Sequence, residues 1–168
     1  VVATGGLSIP KLGATDFGYR IAKKFGLKLN ATKPGLVPLT FGKKDIAFFS
    51  ELSGDSLDAI VSCHGTSFRE NILFTHRGLS GPAVLQISSY WNSGDTISIN
   101  LSPDTELQVF LKERQQSTTE LVTVLAEIFP KRFAQLWCER FTPSMSINRY
   151  TLKKLSIVAS QLHEWKLT

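Results

Sequence analysis

The chain has 168 residues, of which 42% are hydrophobic, and its mean hydropathy is close to zero. This length and composition are typical of an ordinary globular protein with one core, or with two small subdomains that share one. They exclude a protein made of membrane-spanning helices, since no apolar run approaches the roughly 18 residues that such a helix needs. The first residues also lack the basic segment and apolar core of a secretory signal.

The net charge of +5 is distributed unevenly along the chain. Residues 1–50 contain eight Lys or Arg and two Asp or Glu, whereas residues 51–103 contain two and five. A basic region of this kind can bind phosphates or nucleic acid. The alternative is a solvated helix face beside something acidic, and it is favoured because no aromatic stacking pattern interleaves with these lysines.

The first six residues, Val1–Gly6, form an apolar run that breaks into two glycines. The β-branched start predicts a strand entering a tight turn, with no earlier element to support it. We therefore expect the chain to be a piece of a longer protein. After a loop that contains proline and glycine, Thr15 or Asp16 is expected to cap a helix that runs to about Phe25 and stops at Gly26.

Residues 27–101 predict an antiparallel β region. Short apolar runs are bounded there by Gly, Ser, Asp or Asn, and the last run alternates strictly between apolar and polar residues. The runs are residues 36–41, 46–49, 57–63, 71–75 and 96–101. Pro38 confines its strand to an edge or an initial position. One helix is expected to interrupt the strands, with Ser80 or Gly81 as its cap and Pro82 in its first turn.

The last third of the chain predicts four short helices joined by tight turns, which is typical of a small helical bundle. The first begins at Pro103–Asp104, and the second follows the capping-box pattern of Ser117–Glu120. Pro130 begins the third, and Asn148 is expected to cap the fourth. The expected fold class is therefore α+β, with a small antiparallel sheet or barrel-like subdomain followed by a four-helix bundle-like subdomain.

Two cysteines and three histidines are the residues most able to bind a metal or to act as nucleophile and base. Cys63 and Cys138 lie outside any CxxC pattern, which predicts buried, reduced thiols in a cytoplasmic protein rather than a disulfide. His64, His76 and His163 lack the spacing of a metal motif, so structural or solvated roles are expected. These spacings predict neither a metal site nor a catalytic residue.

Two loops could bind a ligand through their backbone. In the first, glycines allow a flat ligand or another strand to come close. Its residues of interest are Thr4, Gly5, Gly6, Ser8, Pro10 and Gly13. The second, residues 74–82, leads into a helix whose first N–H groups favour an anion. A tight turn and a plain strand-to-helix connection are the alternatives. Ser80 is expected to cap a helix rather than act as a nucleophile, since Pro82 breaks the GxSxG pattern.

Three segments, in order along the chain, resemble signatures of the BaiN-like (aminoacetone oxidase-type) flavoprotein family. They are Ala3-Thr4-Gly5-Gly6-x-Ser8-x-Pro10-x-x-Gly13-x-Thr15, Pro34-Gly35-Leu36-Val37-Pro38-Leu39 and Phe74-Thr75-His76-Arg77-Gly78-Leu79-Ser80-Gly81-Pro82. The similarity extends over nearly the whole chain. One departure is Thr15-Asp16-Phe17-Gly18-Tyr19, where many relatives have Thr-Gly-Asp-Gly-Tyr.

The resemblance implies an FAD-dependent oxidoreductase whose FAD domain is interrupted by a β-rich and a helical insertion. Residues 1–30 would be a remnant of the FAD domain, residues 31–103 the β-rich insertion, and residues 104–168 the helical one. The residues that would lie at the flavin are Thr4, Gly5, Gly6, Ser8, Pro10 and Gly13. The substrate-side candidates are His76, Ser80 and Gly81.

The implied function is that of the substrate-side portion of such an enzyme, which covers the flavin in the intact protein. We expect this portion alone to be inactive and to bind FAD weakly or not at all, because the family's glycine-rich phosphate loop is absent from it. Its expected partners are a small-molecule substrate and the remainder of the FAD domain, with neither a membrane nor a nucleic acid. The alternative is a stand-alone basic module that binds nucleic acid or another anionic partner.

Overall fold

The computed structural model describes all residues from 1 to 168, which form two compact units, residues 1–34 and residues 35–168. The fold is α+β, as the sequence predicts, and it contains seven α-helices and six β-strands. The expected three-part division, with boundaries near residues 30 and 103, stays a prediction. None of the helices combines the length and the apolar character needed to cross a membrane.

The first unit contains one α-helix, α1 (Phe17–Lys24), preceded by a short 3-10 turn at Pro10–Leu12. Gly26 takes a left-handed φ of 73° just after the helix, which confirms the predicted stop. Asp16 precedes the helix but does not cap it through its side chain. Its carboxylate instead pairs with Arg20, one turn later, at 3.1 Å.

The strand predicted for the first six residues is wrong for this chain. These residues form no β-pairing in the structure. A lone strand leaves its N–H and C=O groups without protein partners, and the first unit holds no second strand to supply them. Water therefore hydrogen-bonds the N–H and C=O groups of this segment.

The second unit is built on one curled antiparallel sheet, in the order β1-β4-β3-β2-β5-β6. Its strands are β1 (Leu39–Thr40), β2 (Ser56–Cys63), β3 (Thr66–Thr75), β4 (Gly78–Ser80), β5 (Ile97–Asn100) and β6 (Trp165–Leu167). The sheet forms a half-barrel, in agreement with the barrel-like region predicted from the sequence.

The β2–β3 hairpin is the longest pairing of the sheet. It extends from Ser56 opposite Leu73 to Cys63 opposite Thr66. The two turn residues, His64 and Gly65, have φ values of 49° and 78°, as a type I′ turn requires. Alternate residues of β2 are buried, as expected of a strand with one face on the core.

Six helices belong to the second unit. They are α2 (Lys43–Phe49), α3 (Pro82–Ile87), α4 (Leu107–Glu113), α5 (Leu121–Leu125), α6 (Lys131–Phe141) and α7 (Leu152–His163). The last four confirm the predicted helical region after residue 104. The start of α3 at Pro82, with Gly81 as its N-cap, is also as predicted.

The strand predicted at residues 46–49 is wrong, because this segment is the second half of α2. A four-residue apolar run fits a buried strand or a buried helix equally well. The three residues before it, Lys43, Lys44 and Asp45, are polar and form the first turn of the helix after Gly42. The helix buries Phe49 and leaves Ala47 exposed.

Two predicted helix caps are also wrong. The hydroxyl of Ser117 accepts the N–H of Thr119 at 3.1 Å in a local turn, and α5 begins only at Leu121. Hydroxyl side chains compete for nearby backbone groups in this way outside helices. Asn148 lies in a 3-10 turn, and Thr151 caps α7 instead through its side-chain oxygen.

An aromatic cluster joins the sheet to the helices within the second unit. The ring of Trp165, in β6, lies 5.1 Å from that of Phe49 in α2 and 5.7 Å from that of Trp137 in α6. The ring of Phe74, in β3, lies 6.0 Å from that of Phe133 in α6. All five side chains are buried. The β-rich and helical parts therefore share one hydrophobic core.

Candidate functional site

The predicted flavin-side loop lies in the first unit and is open to solvent. Gly5 and Gly13 have positive φ values of 69° and 89°, and a Cβ at either would meet nothing within 4 Å. Thr4, Ser8 and Pro10 are exposed as well. The backbone of this loop is therefore accessible to a ligand or to another segment of protein.

Gly6 and Gly18 lie where this loop contacts α1. A Cβ at Gly18 would lie 2.6 Å from Oγ1 of Thr4, and a Cβ at Gly6 would lie 3.1 Å from the hydroxyl of Tyr19. At these two glycines, the loop and α1 of the same unit approach each other closely, which accounts for part of the close approach that glycines were expected to allow. The predicted set of loop residues did not include Gly18, although the sequence shows the Gly18-Tyr19 pair.

These residues do not by themselves form a complete flavin site. An FAD site needs backbone N–H groups that hold the pyrophosphate, usually from a glycine-rich turn at the start of a helix. Residues 4–13 are almost all exposed, so they do not enclose a ligand. The chain also contains no GxGxxG pattern.

The predicted substrate-side residues lie at two ends of β4. His76 is exposed in the turn between β3 and β4. The hydroxyl of Thr75 holds this turn by accepting the N–H of Gly78 at 3.1 Å. Ser80 is the last residue of β4, and Gly81 follows it. The structure therefore does not bring His76 together with Ser80 and Gly81.

Gly81 has a packing role that the sequence did not reveal. Its φ is 90°, and a Cβ there would lie 2.5 Å from the carbonyl oxygen of Asn71 in β3. Ser80 makes no side-chain capping bond to α3, a helix of only six residues. Gly81 is thus required for the close approach of α3 to β3, and a ligand-binding role for this corner stays a prediction.

The exposed cations of the second unit fall into two classes. In the first, carboxylates hold the cation; the pairs are Arg69 with Asp58 and Asp104, Arg114 with Glu127, Arg132 with Asp55, Arg140 with Asp45, and Lys166 with Glu164. In the second, the cation is exposed and no carboxylate lies within ion-pair distance; the members of this class are Lys43, Lys44, Arg77, Lys112, Lys131, Arg149, Lys153 and Lys154. Three of them, Arg149, Lys153 and Lys154, fall within residues 149–154, and we call these three residues the basic segment. No Asp or Glu occurs between Glu139 and Glu164, so the charge of the basic segment is not neutralised along the chain.

A cleft of about 270 Å³ lies beside the basic segment. Lys154 lines it together with Phe141 and Tyr150. The hydroxyl of Tyr150 donates to the carbonyl oxygen of Pro143, which fixes the tyrosine ring. The cleft therefore combines apolar walls with an available cation.

A cluster of three side chains with metal-ligating atoms lies at the β2–β3 turn. Cys63 ends β2, His64 is the first turn residue, and Asp95 precedes β5, which pairs with β2. One ligand atom from each lies within 4.8 Å of the others. Sequence reasoning missed this cluster because strand pairing, not spacing, brings Asp95 to the turn. The adjacent Cys63 and His64 were the only signal.

Hydrogen bonds hold Asp95 in place. Its Oδ2 lies 2.7 Å from Nε2 of His64 and accepts the backbone N–H of Asn92 at 2.8 Å. These bonds, from His64 first and then from Asn92, lower the pKa of Asp95. Burial, and then the charge of Asp95, raises the pKa of the Cys63 thiol.

The second cysteine has different surroundings. Cys138 is buried in α6, and burial, with a smaller effect from Glu139, raises the pKa of its thiol to about 11. Neither Cys138 nor Cys63 forms a disulfide, in agreement with the prediction of two reduced thiols. A thiol with so high a pKa is a poor nucleophile at neutral pH.

Comparison with known proteins identifies relatives of the chain. Residues 33–168 match a family described as HI0933-like protein barrel and H2TH domain. The chain is 44% identical over 171 residues to the ribosomal RNA dihydrouridine synthase of Escherichia coli (strain K12), a match that covers 99% of the chain and 43% of that protein. It is 40% identical over 172 residues to the ribosomal RNA dihydrouridine synthase of Haemophilus influenzae, covering 100% of the chain and 43% of that protein. The chain thus spans less than half the length of these curated relatives.

The comparisons bear on the expected flavoprotein resemblance. The matched family is associated with FAD-binding proteins, which confirms the expectation at that level. The two relatives are named for a product in ribosomal RNA and not as BaiN-like enzymes.

Proposed function

The chain belongs to the HI0933-like family, and from this membership we propose that it is the barrel and helical portion of an enzyme that reduces uridine in ribosomal RNA to dihydrouridine. The observation that carries the proposal is its 44% identity, over 99% of its length, to a protein named for that activity. Since the chain spans 43% of that protein, we propose the activity for a longer protein that contains this chain.

The conversion of uridine to dihydrouridine saturates the C5–C6 double bond of the uracil ring. One carbon receives a hydride equivalent and the other receives a proton. FAD supplies electrons for reductions of this kind when it is bound. Because the loop from Thr4 to Gly13 is exposed and lacks a pyrophosphate-binding pattern, we propose that most of the flavin site is formed outside this chain.

The role that we propose for the second unit is to hold the RNA. The basic segment, Arg149, Lys153 and Lys154, is exposed and has no carboxylate partner, so its charges are available to phosphates. Contacts between cations and phosphates provide most of the affinity of nucleic-acid binding and position the ligand. The absence of Asp and Glu between residues 139 and 164 keeps the local potential positive. These features, with the relatives' names, favour the nucleic-acid partner over a small-molecule substrate.

RNA binding by the chain can be measured directly. We expect the 168-residue chain to bind purified ribosomal RNA, with an affinity that falls as salt rises. In the triple variant Arg149→Gln/Lys153→Gln/Lys154→Gln, the slope of log affinity against log salt should decrease in size by about 2, since each contact to a single-stranded phosphate contributes about 0.7. Fluorescence anisotropy over a salt series measures this slope.

A matched control removes three other cations. Lys112→Gln/Lys131→Gln/Lys166→Gln changes the net charge equally, at exposed positions outside the basic segment. It should leave the slope close to that of the wild type. Equal losses in both triple variants would indicate a general charge effect and contradict the assignment of the RNA surface to the basic segment.

The reduction itself is tested in cells. Disruption of the gene that encodes this chain should lower the dihydrouridine content of ribosomal RNA, which mass spectrometry detects because the unreduced uridine is lighter by two hydrogen atoms. The intact gene should restore it. If the dihydrouridine content of ribosomal RNA is unchanged by the disruption, the proposed activity is wrong, whatever the chain binds.

A further inference from the structure

We propose that Cys63, His64 and Asp95 form a binding site for a divalent cation of the zinc class, with water as a fourth ligand. Zinc prefers sulfur, nitrogen and oxygen ligands of these three kinds in a tetrahedral arrangement, at about 2.0–2.3 Å. Such bond lengths place ligand atoms roughly 3.5 Å from one another. The three ligand atoms already lie within 4.8 Å of each other, so small side-chain rotations suffice.

Strand pairing fixes the backbone that carries the three ligands. Cys63 is the last residue of β2, whose neighbour β5 begins two residues after Asp95. The pairing of Ser62 with Ser98 sets the register between these strands close to the cluster. The ligands therefore come from two segments that the sheet already holds together, and binding requires little ordering of the chain.

The turn fixes the direction of the His64 side chain. His64 has a φ of 49°, in the left-handed region that Asn, Asp and His adopt more often than other residues with a side chain. Its imidazole is directed to Asp95, with Nε2 and Oδ2 at 2.7 Å. The hairpin therefore places a ring nitrogen beside a carboxylate oxygen, two of the three ligand types of the proposed site.

Asp95 has the support typical of a ligating carboxylate. Its Oδ2 takes part in every side-chain contact that the structure gives this residue, with His64 and with both the N–H and the amide of Asn92. The indole N–H of Trp91 donates to the backbone carbonyl of Asp95 at 2.7 Å. The bonds from Asn92 and Trp91 orient Asp95 and leave Oδ1 for a cation, as partners around a metal site do, whereas the cation would replace the contact between His64 and Asp95.

A nucleophilic role for Cys63 does not explain the cluster. Reactive thiols have a lowered pKa and lie near positive charge. Here the thiol is buried, and the charged group of the cluster is the carboxylate of Asp95. A divalent cation between the three side chains would neutralise the carboxylate and stabilise the thiolate together.

Cobalt provides the direct test, because Co²⁺ occupies zinc sites and its bond to a thiolate gives a charge-transfer absorption band. The 168-residue chain, freed of metal with a chelator, should bind one equivalent of Co²⁺ with this band, and Zn²⁺ should abolish the band by displacement. Zn²⁺ should also raise the midpoint of thermal unfolding, since it binds the folded chain.

Two variants distinguish the three ligands from the rest of the chain. Cys63→Ser should lose the thiolate band, and His64→Asn should weaken Co²⁺ binding by at least about tenfold. Asparagine suits the left-handed turn position, so the second variant removes the imidazole without weakening the hairpin. Cys138→Ser is the matched control, because it removes the other buried thiol and should keep the band.

Three results would overturn the proposal. The first is the absence of a thiolate band in the wild type at one equivalent of Co²⁺. The second is a band that persists in Cys63→Ser but disappears in Cys138→Ser, which would assign it to α6. The third is unchanged Co²⁺ affinity in a folded His64→Asn chain, shown to be folded by its unfolding transition. The proposed activity on RNA stands or falls independently of all three.

Discussion

The imidazole of His163, at the end of α7, is hydrogen-bonded to the side chain of Asn100, at the end of β5, with Nδ1 and Oδ1 3.0 Å apart. The other ring nitrogen, Nε2, accepts the N–H of Leu107, the first residue of α4, at 3.2 Å. Because Nε2 accepts, Nδ1 carries the proton and donates to Asn100. One imidazole thus links the last helix, the first helix of the helical region and the sheet.

Replacement of this imidazole should weaken the fold. In His163→Ala, the N–H of Leu107 loses its acceptor, and Asn100 loses one of its two donors, the other being Ser102. We expect the free energy of unfolding to fall by about 2 kcal/mol, since a partly buried group left without a partner costs about 1–3 kcal/mol. Urea denaturation of the variant and the wild type measures the difference.

The exposed turn histidine is the natural control for that measurement. His76→Ala should change the free energy of unfolding by less than about 0.5 kcal/mol, as surface substitutions usually do. The double variant His163→Ala/Asn100→Ala should lose less than the sum of the two single losses, because the two residues share one bond. Strict additivity would show that the bond contributes nothing.

The buried thiol of Cys138 predicts a stability that depends on pH. Its pKa is raised from 9.0 to about 11, so the folded chain holds this proton more tightly than the unfolded chain. The contribution of this proton to the free energy of unfolding is fully present below pH 9. It decreases as pH rises from 9 towards 11, and it is lost above that. The shift of two units corresponds to about 2–3 kcal/mol.

The effect is isolated by comparison with Cys138→Ala, which removes the titrating group. The loss of packing in this variant is the same at every pH, so the stability difference between wild type and variant should shrink as pH rises from 9 to 11. Chemical denaturation at several pH values gives this difference. Parallel curves would mean that the thiol has nearly the same pKa in both states.

The outline of the second unit follows from residue pattern alone. The alternation of residues 96–101 predicts β5, and the apolar residues after Pro130 predict α6, because each pattern has one clear period. Residues 46–49 show no period, so their helix could not be distinguished from a strand. The three-residue β6 was not predicted, because its formation depends on β5, a partner distant in sequence.

The candidate sites depend still more on long-range contacts. The Asp95 carboxylate reaches His64 only because β5 pairs with β2, a register that no local pattern encodes. The sequence shows that no Asp or Glu lies near Lys153 and Lys154, but only the fold shows that Asp58 and Asp55 hold Arg69 and Arg132 and that no carboxylate reaches these lysines. The sequence shows which residue types are present, and the fold determines which of them come into contact.

The close packing at Gly78 predicts that a single methyl group will disturb the sheet. Gly78 lies in β4 opposite Thr40 of β1, and a Cβ there would lie 2.7 Å from the Cα of Thr40 and also too close to the carbonyl oxygen of Leu39. Both contacts are backbone, which cannot rotate away. Gly78→Ala should therefore separate β1 from β4 and reduce the free energy of unfolding by about 1–3 kcal/mol or more.

A second glycine tests whether the loss comes from that contact. A Cβ at Gly42 would meet nothing within 4 Å, and its φ of −63° is open to any residue. Gly42→Ala should cost less than about 1 kcal/mol, the loss expected at a helix N-cap. Urea denaturation ranks the two variants, and equal losses would show that the β1–β4 contact is not the cause.

The shared aromatic core predicts that the β-rich and helical regions unfold together. Trp165 contacts Phe49 of α2, Phe74 of β3 and Trp137 of α6, with ring centroids 5.1, 6.2 and 5.7 Å away. Trp165→Ala should reduce the free energy of unfolding by about 3–5 kcal/mol. Lys166→Ala, the exposed neighbour on the same strand, should change it by less than about 0.5 kcal/mol.

The same core decides between one folding unit and two in residues 35–168. If residues 35–103 and 104–168 were independent subdomains, urea unfolding followed by far-ultraviolet circular dichroism and by tryptophan fluorescence would give separate midpoints. We expect coincident midpoints, because Trp165 and Trp137 lie in the same hydrophobic cluster as the strands. In Trp165→Ala both midpoints should move to lower urea together. Trp165 lies in β6, the strand that follows the helical region and pairs with β5 of the sheet.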